Sequence, residues 1–196
     1  MIAEQTKAAL QALFPEPDAV PEPPVAEEQV EASPETDEQP AEGDQPVETP
    51  AEPVETEVEE GPRENGVLER DYSVHGYHLD AQVDPDQLIE AVTILDKAEF
   101  FIETITGVDW IEDDQYEIIY DFSRYDFDLC RVVIRTRVSR QEPVVPTITP
   151  VYAGANWHER ETHDFFGIKF SGHPHLIPLL LPEDADFHPL RKDFKA

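Results

Sequence analysis

Basic residues are scarce in this sequence. Lys and Arg number 14 against 44 Asp and Glu, a formal net charge of -30 over 196 residues. That balance excludes nucleic acid as a partner, because displacing the counterions of a phosphate backbone takes a surplus of cations. A basic patch for an anionic lipid surface is missing for the same reason. Cysteine is nearly absent too. Cys130 alone cannot close an intramolecular disulfide, and no cysteine spacing of a zinc site exists. It stands in Leu129-Cys130-Arg131-Val132-Val133-Ile134, where a small strand residue is the simpler reading than a reactive thiol. Nowhere do about 18 apolar residues run together, so no segment has the length to cross a bilayer as a helix. There is no glycine-rich phosphate loop to hold NADH or a nucleotide, and no serine in a nucleophile elbow. The first residues have neither the apolar core of a secretory leader nor the Arg-rich, acid-poor make-up of a mitochondrial presequence. A cytoplasmic location is the expectation.

What is abundant is proline and acid, and both are unevenly placed. Residues 14–66 alternate Pro, Glu, Thr and Val with hardly an aromatic. Such a stretch lacks the apolar area to offset about 1–2 kcal/mol of backbone entropy per residue, and is expected to be a disordered, extended tail. Residues 1–13 carry Ile2, Ala9, Leu10 and Leu13 at helical spacing. They form either a short docking helix or a frayed end. Residues 66–196 hold 25 acids against 12 bases, with the second half close to balance.

The remainder reads as an α+β domain with a small mixed, largely antiparallel sheet and packed helices. Its core spans residues 67–142. Residues 72–83 are expected to form a first strand. Asp84-Pro85 is an N-cap followed by proline at the first helical position, and Leu88, Ala91, Val92 and Leu95 then recur at helical spacing. Strands are expected over residues 100–108, 116–122 and 129–138, with a turn beginning at Asp109. In the last strand Val132 and Ile134 share one face, and Arg131, Val133, Arg135 and Arg137 the other. Residues 143–196 are expected to be a proline-rich turn, a helix over 155–166 closed by Gly167, and an extended partner-binding segment.

The carboxyl-terminal third carries the most specific pattern. It contains Glu159-Arg160-Glu161, Asp164, Phe166-Gly167-Ile168, Gly172-His173-Pro174 and, further on, His188-Pro189-Leu190-Arg191-Lys192-Asp193-Phe194. Pro143-Val144-Val145-Pro146-Thr147 and Gly154-Ala155-Asn156-Trp157 precede it. Over residues 72–194 the chain resembles the 30 kDa, or C, subunit family of respiratory NADH:quinone oxidoreductases. The resemblance implies a mixed α/β fold with no catalytic residues and no flavin, iron–sulfur cluster or metal of its own. NADH, FMN, iron–sulfur clusters and quinone would belong to other subunits. It further implies packing against the 49 kDa (D) subunit beside the quinone site, near an iron–sulfur subunit. The complex would hold the chain peripherally at the cytoplasmic face of the inner membrane.

On a helix, Trp157, Arg160, Glu161 and Asp164 fall on one face, as an aromatic anchor with an Arg between carboxylates would at a desolvated interface. Trp157, Glu159, Arg160, Glu161, Asp164, Gly167, Gly172, His173, Pro174, His188, Pro189, Leu190, Arg191, Lys192 and Asp193 are thus the candidate partner-interface residues. Arg191-Lys192 is the obvious grip on a partner's carboxylates. Leu176, Ile177, Leu179, Leu180 and Leu181 either fold back on the domain or lie on another chain.

Two other readings compete. Membrane-bound [NiFe] hydrogenases and formate hydrogenlyases contain a related subunit. His163, His175 and Phe187 depart from the respiratory pattern in ways that keep such an assembly in view. An independent metalloenzyme would draw on His158, His163, His173, His175 and His188. However, His158 and His163 stand about 140° apart around a helix, and so do not share a metal easily.

Overall fold

The computed structural model describes residues 2–14, 63–126 and 129–195. The acidic tail expected over 14–66 falls, for residues 15–62, outside the described residues. At its far end Arg63 is already anchored, 2.9 Å from an oxygen of Asp80.

Among the described residues, four α-helices and seven strands follow in chain order: α1 (Ile2–Gln11), β1 (Gly66–Glu69), α2 (Tyr72–His75), β2 (Leu79–Gln82), α3 (Leu88–Lys97), β3 (Phe101–Trp110), β4 (Gln115–Arg124), β5 (Cys130–Ser139), β6 (Val144–Pro146), α4 (Ala155–Phe166) and β7 (Lys169–Ser171). The main sheet has the order β1-β2-β5-β4-β3. Only the β2–β5 pairing within it is parallel. β6 and β7 form a separate parallel pair. The architecture is α+β with a mixed, mostly antiparallel sheet, as expected.

Strand alternation builds two unlike faces. Leu79, Ala81, Val132, Ile134, Ile118, Tyr120, Phe122 and Ile105 are buried on one face. There they join Leu10 of α1, the Leu88, Ala91, Val92 and Leu95 stripe of α3, and Phe166 of α4. α1 is therefore part of the core rather than a frayed end, with Lys7 paired to Glu69 at 2.9 Å. The other face carries interlocked charges: Asp80 with Arg63 and Arg135, Glu117 with Arg137, and Glu103 with Arg131. Long Arg stems lying across the sheet leave Val133 buried among them. Burial pushes the Asp80 carboxyl up, but the Arg63 hydrogen bond and the Arg135 charge outweigh it and hold the group below its usual range.

Two local expectations fail. Residues 72–83 are not one strand. Asp71 caps a single helical turn by accepting the Ser73 N–H at 2.8 Å, and Gly76 closes that turn at φ 78, before β2 begins. Asp109 does not begin a turn either. It lies inside β3 opposite Tyr116, buried, with Arg140 Nε 2.9 Å from its carboxylate.

Candidate functional site

The site is built on α4 and the segment that returns over it. Gly167, at φ 76, ends α4 with its N–H on the His163 carbonyl. α4 lies close against β3: a Cβ on Gly107 would come within 2.7 Å of the Phe166 ring.

Glu159 is the inward anchor of α4. Fully buried, it accepts the Ile148 N–H at 2.7 Å, the Thr149 hydroxyl at 3.2 Å and the Thr147 hydroxyl. The helix is thus fixed to the Thr147-Ile148-Thr149 turn, which Pro146 and Pro150 flank. Burial pushes the Glu159 carboxyl up, and its hydroxyl and backbone donors pull the other way. His173 Nε2 lies 3.8 Å from it, and burial depresses that imidazole. Gly172, at φ 80, turns the chain out of β7 into His173-Pro174. His173 Nδ1 accepts the His175 N–H at 3.0 Å.

From there residues 176–195 form an arm without helix or strand. Its peptide groups, rather than its side chains, carry most of its attachment. Asp164 Oδ2 accepts the N–H groups of Leu179, Leu180 and Leu181 at 2.8, 2.7 and 3.2 Å. Arg160 donates to the carbonyls of Ile177 and Pro178, both at 3.0 Å. The Leu190 N–H reaches the Phe165 carbonyl at 3.2 Å. The Lys192 N–H reaches Asp109 Oδ2 at 2.8 Å. Three side chains of the arm help. His188 Nδ1 lies 2.7 Å from the Asp164 carbonyl, Arg191 Nε donates to the Phe166 carbonyl at 2.7 Å, and Asp193 pairs with Arg140 at 3.0 Å. Burial depresses the His188 imidazole.

The outward surface carries several large apolar groups. Trp157 and Leu180 are each 60% exposed and Leu190 53%, with Ile177, Phe187 and Phe194 also exposed. Leu176 alone of the expected leucine-rich run packs on the core. The arm therefore folds back through its backbone while Ile177, Leu180, Phe187, Leu190 and Phe194 stay exposed and Leu179 and Leu181 are half-buried.

Two expectations about charge are corrected here. Arg160 is not clamped between Glu161 and Asp164. It turns to the arm's carbonyls with its guanidinium 5.3 Å from the Trp157 ring, while Glu161 is exposed. Arg191 and Lys192 do not reach out for carboxylates. Arg191 lies over the Tyr116 ring at 5.8 Å and Lys192 over Trp110 at 5.9 Å. Pro174 and Pro189 follow the two histidine turns, one residue after each. Asp109, Tyr116, Arg140 and Thr147 belong to the site through contacts that local spacing does not show. The alternation of Ile105, Gly107 and Asp109 was the one signal that would have placed Asp109 on the buried face.

Among the described residues no three His, Cys, Asp or Glu side chains converge to hold a metal ion, and no helix is long and apolar enough to cross a membrane.

Residues 81–196 match the family described as respiratory-chain NADH dehydrogenase, 30 Kd subunit. The chain is 39% identical over 120 residues to the C subunit of the NADH-quinone oxidoreductase of Roseiflexus castenholzii, covering 59% of this chain and 68% of that one. It is 36% identical over 119 residues to the C subunit of the F(420)H(2) dehydrogenase of Methanosarcina mazei, covering 59% and 75%. Among solved structures, a chain of the membrane-bound sulfane sulfur reductase, an archaeal respiratory membrane complex, superposes with a TM-score of 0.55. It is 27% identical, over 60% of this chain and 71% of that one. By its sequence, the chain belongs to the 30 kDa subunit family of respiratory-chain NADH dehydrogenases.

Proposed function

We propose that the chain is a structural subunit of the peripheral arm of a proton-translocating NADH:quinone oxidoreductase, without catalytic residues or cofactors of its own. It packs against the 49 kDa (D) subunit beside the quinone site, next to an iron–sulfur subunit, at the cytoplasmic face of the membrane. One observation carries this reading: the arm is tied down by its peptide groups, leaving Ile177, Leu180, Phe187, Leu190 and Phe194 facing outward. Exposed apolar groups on a segment already ordered by its own domain lose little further freedom when covered, which favours docking. The subunit's part in turnover is then to hold its neighbour in place.

Leu180→Gln with Leu190→Gln tests it. The isolated subunit keeps its melting temperature, while co-purification with the large subunit and NADH-driven quinone reduction fall together. Normal assembly with activity alone lost would overturn the reading.

A second reading keeps the docking role but changes the assembly, to one of the membrane-bound hydrogenase or formate hydrogenlyase kind with a different electron donor. The similarity to a C subunit of an F(420)H(2) dehydrogenase favours the different donor. Comparing donors on membranes with and without this subunit separates the two. NADH-dependent quinone reduction lost with the subunit supports the first.

A further inference from the structure

The arm carries charge as well as apolar surface, and the charge has a pattern. Within the domain, carboxylates set against the sheet are matched: Asp80 by Arg63 and Arg135, Glu117 by Arg137, Glu103 by Arg131, Asp109 by Arg140. On the arm, Glu183, Asp184 and Asp186 are exposed and unpaired among the described residues. They stand in sequence between two exposed apolar residues, Leu180 and Phe187.

Three cations of α4 and the arm have contacts of their own. Arg160 is spent on the Ile177 and Pro178 carbonyls, Arg191 on the Phe166 carbonyl and the Tyr116 ring, and Lys192 sits over Trp110. Beneath the leucine turn there is a further unmet acceptor. Asp164 is 3% exposed, yet its Oδ1 has no hydrogen-bond partner, because the three converging N–H groups all go to Oδ2.

We infer that the face covering the arm is an apolar groove with a basic rim. Lys or Arg side chains of the large partner subunit meet Glu183, Asp184 and Asp186, around the pockets that take Leu180, Phe187 and Leu190. This rests on the docking role proposed above and adds the sign of the partner's charge, opposite to what the Arg191-Lys192 pair suggested. A second copy of this chain does not fit, since it brings the same acids and a net charge of -30. An anionic lipid surface is repelled by the same three carboxylates.

Rim charges of this type act on the rate of encounter and its salt dependence more than on the lifetime of the docked state. The test is the rate at which the full-length chain is taken up by membranes containing the complex but lacking this subunit, at low and at high salt. Wild-type uptake slows as salt is raised. Glu183→Gln with Asp184→Asn and Asp186→Asn slows low-salt uptake roughly tenfold and flattens the salt dependence, at an unchanged melting temperature. Glu183→Lys with Asp184→Lys and Asp186→Lys slows it further. Wild-type uptake indifferent to salt, or a neutral variant with wild-type rate and salt response, would overturn the inference. Leu180→Gln separates this from the docking role itself. If Leu180→Gln assembles normally, the docking role fails; if it does not assemble while the neutral variant behaves as wild type, only the charge assignment fails.

Discussion

Asp164 Oδ2 lies 2.7 Å from the backbone nitrogen of Leu180, and the same oxygen also takes the N–H groups of Leu179 and Leu181. One carboxylate on α4 thus shapes a turn of the arm that has no helix or strand to hold it.

Removing that carboxylate should free the turn without unfolding the domain. Hydrogen bonds to a charged acceptor contribute about 1.5–3 kcal/mol each, less where the freed N–H groups reach water. Asp164→Ala is expected to lower stability by about 2 kcal/mol overall. The Leu179–Leu181 amides should lose protection in hydrogen exchange while those of β4 and β5 keep theirs. Equal loss across the sheet would mean that the arm and the core open as one unit.

The inward anchor should be costlier. Glu159→Ala strands the Ile148 N–H and the Thr147 hydroxyl in a buried setting, where each unmet polar group costs about 1–3 kcal/mol, and removes the bond from the half-buried Thr149. A drop of at least 3 kcal/mol in unfolding free energy by denaturant is expected, roughly the sum of such losses. Glu159→Gln, which keeps an acceptor oxygen, should recover part of it.

Gly167 has no room for a side chain. At φ 76 a non-glycine residue is strained by about 1–2 kcal/mol. A Cβ there would also lie 2.6 Å from His188 Nε2 and collide with the Arg191 guanidinium. Gly167→Ala is expected to destabilise by about 2 kcal/mol and to displace residues 188–191, seen as new protease cleavage after Arg191 or Lys192.

Leu10 tests whether α1 belongs to the core. It is fully buried among core residues, so Leu10→Ala should cost about 2–5 kcal/mol. A change under 0.5 kcal/mol, typical of a surface site, would show that α1 is detached in solution.

Acid should loosen the arm. Burial holds the His173 and His188 imidazoles below their ordinary value of 6.5. As pH falls, the unfolded chain takes up these protons near that value and the folded chain only lower down. Within that window the unfolded state binds more protons, so stability drops as pH drops. Glu159 has the opposite sense: its raised carboxyl favours the fold below its ordinary value of 4.5, and that contribution is lost as pH rises above it. The melting temperature should therefore fall between about pH 7.5 and 5.5, through the histidines. His188→Asn, which can still donate to the Asp164 carbonyl, should shrink the fall.

Much of the frame was legible because it is written in local spacing. The stripe from Leu88 to Leu95 gave α3, Gly167 closed α4 where expected, and alternation around Val132 and Ile134 set the core face of β5. What failed depended on contacts distant in sequence. Helical spacing put Arg160 beside Asp164, but their partners lie 15 to 18 residues further on, in an arm whose path no local pattern encodes. Asp109 looked like a turn residue because an acid is poorly suited to a buried strand, and only Arg140 and the Lys192 amide make that position tolerable. The basic pair at 191–192 read as outward because nothing in the sequence showed that Tyr116 and Trp110 would lie beneath it.

Attachment through peptide groups also separates two demands that usually compete. Most of the arm's anchors ignore the identity of the residues they hold, so its protruding groups are free to be recut for another neighbour without disturbing how the segment is seated. Such an adaptor can serve assemblies of different make-up by substituting a few knobs on a fixed mount.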